Sequence, residues 1–383
     1  MRTRISRVLC TATAAIASFA ATAPIATAET ITVTDIAGRT VEVEKDPSSI
    51  VLGEGRMIYS IAMLDREDPF ARVAGWKNDM ILFDPDAYEK YAAKFPAARD
   101  IPRLGSPYSD EWNLESVISL GTEVVFMNLG SLAQARQSGI IGKLEEAGIA
   151  TVFIDYRQQP TQNTVPSIQL MGRILDKRGN ADAFSDFYQA EMKRIYAEVQ
   201  EIPAEDRPVV FIENAAGYSP GECCRTYGSA NLGRLVELAG GRNWGSEKLP
   251  GTRGDVSLEA LFSDDPDVII GTGANWTDAN PETTAVLFGY DAGESMVQDR
   301  LANLADRDGW PELSAVKNGH FHSVWHQFYN SPYHFVAMQA FAKWMYPDRF
   351  ADLDPDATMQ ALHDRFLPID YSGEFWGTLE SGA

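Results

Sequence analysis

Cysteine is scarce in this chain, with three in 383 residues: Cys10, Cys223 and Cys224. That number builds no disulfide framework, so the fold must rest on hydrophobic cores. Histidine is absent from the first 319 positions; His320, His322, His326, His334 and His363 all come late. There is no His-Glu-x-x-His zinc helix, no Gly-x-Ser-x-Gly elbow and no lysine-bearing Gly-rich phosphate loop. The usual machinery of metalloprotease, serine hydrolase and nucleotide chemistry is therefore missing. Basic residues are also in deficit, 33 Lys and Arg against 54 Asp and Glu. A surface of that sign repels nucleic acid and anionic lipid, and neither is expected as a partner. Beyond the N-terminus no apolar run approaches the ~20 residues of a membrane span, so the mature chain is not expected to be membrane-embedded.

What is present begins with a leader. Arg2, Arg4 and Arg7 precede an Ala-rich apolar run, and Ala26-Thr27-Ala28 has the small-x-small form of a cleavage site. Residues 1–28 are expected to be a signal peptide removed after Ala28, making the protein exported. Cleavage takes three arginines and no acids, which moves the net charge from −21 to −24. The two cysteines that remain are neighbours. A Cys223–Cys224 disulfide, free or intermolecular thiols, and metal ligation by the pair all stay open.

The rest is long enough for two domains. Residues 180–199 place Phe184, Phe187, Tyr188, Met192, Ile195, Tyr196 and Val199 at three-and-four spacing, which predicts one long helix. Pro203 lies just past its end. On either side, strands alternate with helices, the pattern of a mostly parallel sheet covered on both faces. The fold class is α/β: two α/β lobes with central mostly parallel sheets, joined by one long rigid helix, with a ligand cleft between them. The expected boundaries are 29–176 for the first lobe, 177–202 for the linking helix and 203–383 for the second lobe. Residues 29–45 alternate about Ala37-Gly38 and predict a hairpin. Residues 78–111 read as irregular. Asn113–Phe126 and Ser257–Ile270 match at an offset of 144 without a gap. Leu114/Leu258, Glu115/Glu259, Ser119/Ser263 and Val124/Val268 are identical, and Glu123/Asp267 keeps its charge. Both copies read as cap, helix, turn and strand, which indicates a duplicated lobe.

These paired segments, the opening ITVTDIAGRTVEVEKDPSSIVLGEG, the turn LVELAGGRNWG and the corner WPELSAVKNGHFHSV resemble the periplasmic binding proteins that deliver iron–siderophore complexes or cobalamin to ABC importers. The resemblance implies a monomeric periplasmic protein, with no resident cofactor, that captures a small-molecule metal chelate and hands it to permease subunits. It further implies that Glu115 and Glu259, on the tips of the two lobes, meet arginines of the permease.

Ligands of open α/β sheets bind beyond the carboxyl ends of the strands. The candidate ligand-binding residues are Arg56, Trp76, Lys77, Asn128, Tyr156 and Arg157 in the first lobe. In the second they are Asn214, Tyr218, Arg225, Asn275, Trp276, Trp325, His326 and Tyr329. Aromatic faces and arginine forks suit a bulky, oxygen-rich ferric chelate. Haem, cobalamin or a bare metal ion on the same scaffold are the alternatives, with His326 or Tyr329 as direct ligands in the haem or metal case. An exported enzyme is a more distant rival, and no catalytic residue is assigned.

Overall fold

The computed structural model describes residues 29–107, 112–221 and 223–380. The leader and the last four residues of the stretch 78–111 lie outside the described residues. Strands β1 (Thr30–Thr34) and β2 (Thr40–Glu44) form the expected antiparallel hairpin, with Asp35 accepting from the Arg39 backbone and Gly38 at φ 75° in the turn. The Ile36 amide ties this hairpin to the first sheet by donating to the Phe153 carbonyl.

That sheet consists of β3 (Ile50–Leu52), β4 (Val73–Lys77), β5 (Arg103–Leu104), β6 (Val124–Asn128) and β7 (Ala150–Ile154). It is parallel throughout, in the order β5-β4-β3-β6-β7. All of β3 and β6 is buried, as the continuous apolar runs require of a sheet covered on both faces. The second sheet holds β8 (Val209–Glu213), β9 (Arg225–Tyr227), β10 (Arg242–Asn243), β11 (Arg253–Asp255), β12 (Val268–Gly273), β13 (Phe321–Trp325) and β14 (Trp376–Thr378). Its centre, β8-β12-β13, is parallel; β9, β11 and β14 extend it in antiparallel sense, and β10 lies parallel beside β8.

The joining helix runs from Arg178 to Val199, 22 residues or ~33 Å at 1.5 Å per residue. Phe184 and Phe187 pack on Phe335 and Phe366, and the Tyr188 hydroxyl meets His334 Nε2 at 2.8 Å. The first half of the helix is thereby fastened to the helices His334–Met345 and Pro355–Phe366. Tyr196, expected on the buried face, is exposed instead. Residues 78–107 are not irregular. They form helices Asp79–Phe83 and Pro85–Lys94, a turn at Pro96–Arg99 and strand β5. Pro85 at the first helical position is the start signal, since a missing N–H costs nothing there.

The duplicated segments repeat the same local features. Asn113 caps helix Leu114–Ser119 by accepting from the Ser116 amide, and Ser257 caps helix Leu258–Asp264 by accepting from the Ala260 amide. Each unit then enters a central strand, β6 or β12. The retained acid also has one job in both copies. Glu123 accepts from the Ser48 amide just before β3, and Asp267 accepts from the Val209 amide at the start of β8. Each carboxylate thus pins the neighbouring strand to its own.

Candidate ligand-binding site

The loops leaving the carboxyl ends of β3, β4, β6 and β7 face those leaving β8, β12 and β13. From the first lobe come two ion pairs, the first buried and the second with a half-buried arginine. Arg56 Nε donates to Asp79 Oδ2 at 2.7 Å, and Asp79 also accepts from the Gly55 amide at 2.6 Å. Arg157 Nη2 lies 3.0 Å from Glu54 Oε2. From the second lobe comes the turn His326–Asn330. Arg56 Nη1 donates to Gln327, and Gln327 donates in turn to the Phe83 carbonyl. Asn330 Nδ2 donates to Glu54 Oε2 at 3.0 Å, and Arg157 Nη2 donates to the Tyr329 hydroxyl at 3.0 Å.

Tyr329 is the pivot of this junction. Its ring centroid is 5.2 Å from the Arg56 guanidinium and 4.9 Å from that of Arg157, both within cation–π range. His326 lies 4.7 Å from it, centroid to centroid, with Nδ1 2.9 Å from Thr272 Oγ1. Trp276 stands edge-on to His326 at 5.0 Å and to Tyr218 at 5.2 Å, extending the aromatic wall. Burial, helped by Arg56, Arg253 and Arg157, pushes His326 down to about 3, so the ring is neutral. Burial works against the Arg157 charge, but Glu54 and Tyr329 more than offset it and raise its proton affinity.

The sequence-expected residues divide into three groups. Arg56, Asn128, Arg157, Trp276, His326 and Tyr329 are brought together at the junction, with Tyr218 beside Trp276. Asn214 and Asn275 are adjacent but engaged: Asn214 donates to the Tyr227 hydroxyl, and Asn275 donates across the lobes to Asp86 at 2.7 Å. Lys77 closes β4, where its carbonyl backs directly onto Gly55. Four others belong elsewhere. Trp76 is buried in the first core against Phe70 and Tyr88, because strand alternation turns it inward. Tyr156 is buried with its hydroxyl on Ser60. Trp325 is fully buried between Phe328, Phe375 and Tyr59. Arg225 points outward on β9 and pairs with Asp255.

Residues missed from sequence are Glu54, Asp79, Asn231, Gln327 and Asn330. Asn231 donates to the backbone carbonyls of both Arg157 and Tyr329 at 3.1 Å, bridging the lobes from a backbone at φ 57°. Such amides carry no pattern in a sequence. The Gly53-Glu54-Gly55-Arg56 stretch did carry one, since Gly55 has no room for a side chain beside the Lys77 carbonyl.

Cys223 and Cys224 are joined to each other in the loop after β8. They border a cleft of about 600 Å³ that also includes Asn214, Tyr218 and Arg225. Their sulfurs lie within 4.8 Å of a Glu213 oxygen, but both Glu213 oxygens are held by Arg307 at 2.8 and 2.7 Å. The carboxylate already has its cation.

Two lobes linked by one helix, with a polar and aromatic junction at their strand ends, define a binding protein. The chain belongs to the periplasmic binding protein family, whose pattern matches residues 61–324. It is similar to the TroA-like periplasmic binding protein FepB from Veillonella parvula, with TM-score 0.83 and 28% identity over 91% of this chain and all of that one. Among curated proteins, it is 22% identical to the ABC transporter substrate-binding lipoprotein YvrC of Bacillus subtilis, over 84% of this chain and 87% of that protein. It is 21% identical to the molybdate-binding protein MolA of Haemophilus influenzae, over 68% and 71% respectively. This is a periplasmic binding protein of an ABC transporter. Among the described residues, no helix is long and apolar enough to cross a membrane.

Proposed function

We propose that this protein captures an anionic ferric chelate of the siderophore type between its lobes and delivers it to the permease of an ABC importer, binding without turnover. One observation carries the reading: two guanidinium groups, Arg56 and Arg157, lie within cation–π range of the Tyr329 ring beside Trp276, Tyr218 and His326. Arginine forks match carboxylate and catecholate oxygens, and aromatic faces suit the organic body of a chelator. Arg157 is the residue to engage first, since its partners Glu54 and Tyr329 can be exchanged for ligand oxygens at its half-buried head. Docking on the permease then uses the exposed Glu115 and Glu259, and the double change Glu115→Lys, Glu259→Lys is expected to abolish transport.

A second reading is favoured by the same arginines and by the Haemophilus relative: a metal oxyanion such as molybdate needs charge-assisted donors but no aromatic wall.

Tryptophan fluorescence of the mature protein, titrated with ferric chelates, haem, cobalamin and molybdate, separates the readings. Trp276 is the reporter at the junction, so Trp276→Phe should remove most of the signal. Saturable quenching by a ferric chelate and none by its iron-free form supports the proposal. A response to molybdate alone supports the second reading. Silence from a folded protein across the panel overturns both.

A further inference from the structure

Away from the junction, four large apolar side chains are exposed among the described residues: Leu82, Ile118, Tyr196 and Phe262. Single exposed apolar residues are ordinary and need no account. Ile118 and Phe262, however, are 144 positions apart, the offset that relates the two copies of the duplicated unit. They are 46% and 37% exposed. Each sits three residues after an exposed acid, Glu115 or Glu259, on the short helix of its copy, so carboxylate and apolar group share one helical face. The residue before each, Val117 and Leu261, is fully buried and anchors the helix to its lobe. Phe262 is also held from beneath. Its ring rests on Gly309, where a side chain would come within 2.7 Å of it.

We infer that Glu115–Ile118 and Glu259–Phe262 are two matched docking knobs. The partner is the importer's permease, and it presents two equivalent sites, each an apolar socket bordered by a basic side chain. This rests on the importer reading and extends it from two charges to two composite contacts. The physical division of labour is clear. The carboxylates meet basic groups, speed encounter and fix orientation, and their contribution weakens with salt. The apolar groups bury area in the socket and contribute affinity that salt does not screen. The chain's strong negative charge fits a basic partner but cannot by itself place two contact points; the repeated apolar residues do.

The test is binding of the mature protein to its cognate permease in lipid nanodiscs, at low and high salt. Ile118→Ser and Phe262→Ser are each expected to weaken the complex about tenfold at both salt concentrations. Glu115→Gln and Glu259→Gln should weaken it at low salt only. Leu82→Ser and Tyr196→Ser should leave it unchanged, as should the conservative Ile118→Val and Phe262→Leu to within about threefold. Thermal melting and ligand titration verify that each variant is folded and loaded; if a serine variant unfolds, Ile118→Thr and Phe262→Gln replace it. If folded serine variants bind like Tyr196→Ser, the inference falls and the importer reading stands. If the unsubstituted protein does not bind the permease, both fall.

Discussion

At the junction the first lobe contributes four ionisable residues, Glu54, Arg56, Asp79 and Arg157, and one amide, Asn128. The second contributes Trp276, His326, Gln327, Tyr329 and Asn330, none charged at neutral pH once burial has lowered His326. The difference has a consequence for opening. Each arginine keeps a carboxylate partner within its own lobe, so parting the lobes strands no buried charge. What must be exchanged for water or ligand is a set of neutral amides and one phenol bonded to those charged groups, each bond worth about 1.5–3 kcal/mol. Charge is kept permanently satisfied on one side, and adaptable contacts sit on the other.

The largest effect should come from breaking that internal pairing. Arg56→Met leaves Asp79, 1% exposed, without its cation and should cost about 3–5 kcal/mol in chemical denaturation. Arg307→Met in the second lobe strands Glu213 in the same way. Its loss should be smaller, because Arg307 is partly exposed and water reaches the vacated place.

Next in size is a difference in pH response between the lobes. All the histidines lie in the second. Burial holds His322 and His326 down to about 3, and His334 and His363 to about 4. Below the unfolded value of about 6.5 the unfolded chain takes protons that these rings refuse, so stability is lost as pH falls from about 6.5 toward 4. Asp84 in the first lobe works oppositely. Burial pushes it up to about 8, where it pairs with the Tyr59 hydroxyl, and its contribution is lost as pH rises from about 4 to 8. Hydrogen exchange against pH should show second-lobe amides loosening first on acidification. Asp84→Asn should flatten the decline on the alkaline side.

The Arg157→Ala variant should weaken ferric-chelate binding by about ten- to a hundredfold, with a loss of stability no larger than that of Arg307→Met, because Glu54 retains Asn330. The smallest effect is expected for Glu115→Gln or Glu259→Gln singly: a few-fold loss of permease affinity at low salt, absent at high salt.

Much of the frame was legible because it is periodic. The hairpin alternation, the linking helix and the two cap-helix-strand units depend on local spacing, and each appears where the residues put it. The Glu123/Asp267 match was visible as a retained charge, though only the structure gives its purpose, the pinning of a neighbouring strand. Residues 78–107 were misread because scattered prolines suggested loops, while Pro85 and Pro96 in fact open helical turns. Of the residues that residue type singled out, the fold brings Arg56, Arg157, Trp276, His326 and Tyr329 to the junction. Trp76 and Trp325 lie in the cores instead, since an aromatic at the end of a strand reads the same whether it faces the core or the cleft.

By itself the sequence determined the sign of the surface, the two-lobe α/β plan and the rod between the lobes. These follow from composition and from spacings of two and three-to-four residues. Only the tertiary structure decided which arginine meets which acid, that Tyr329 meets two guanidinium groups, and that Gln327, Asn330 and Asn231 lock one lobe to the other. Those contacts join residues as far apart as Glu54 and Asn330, and no local pattern encodes a partner 276 positions away.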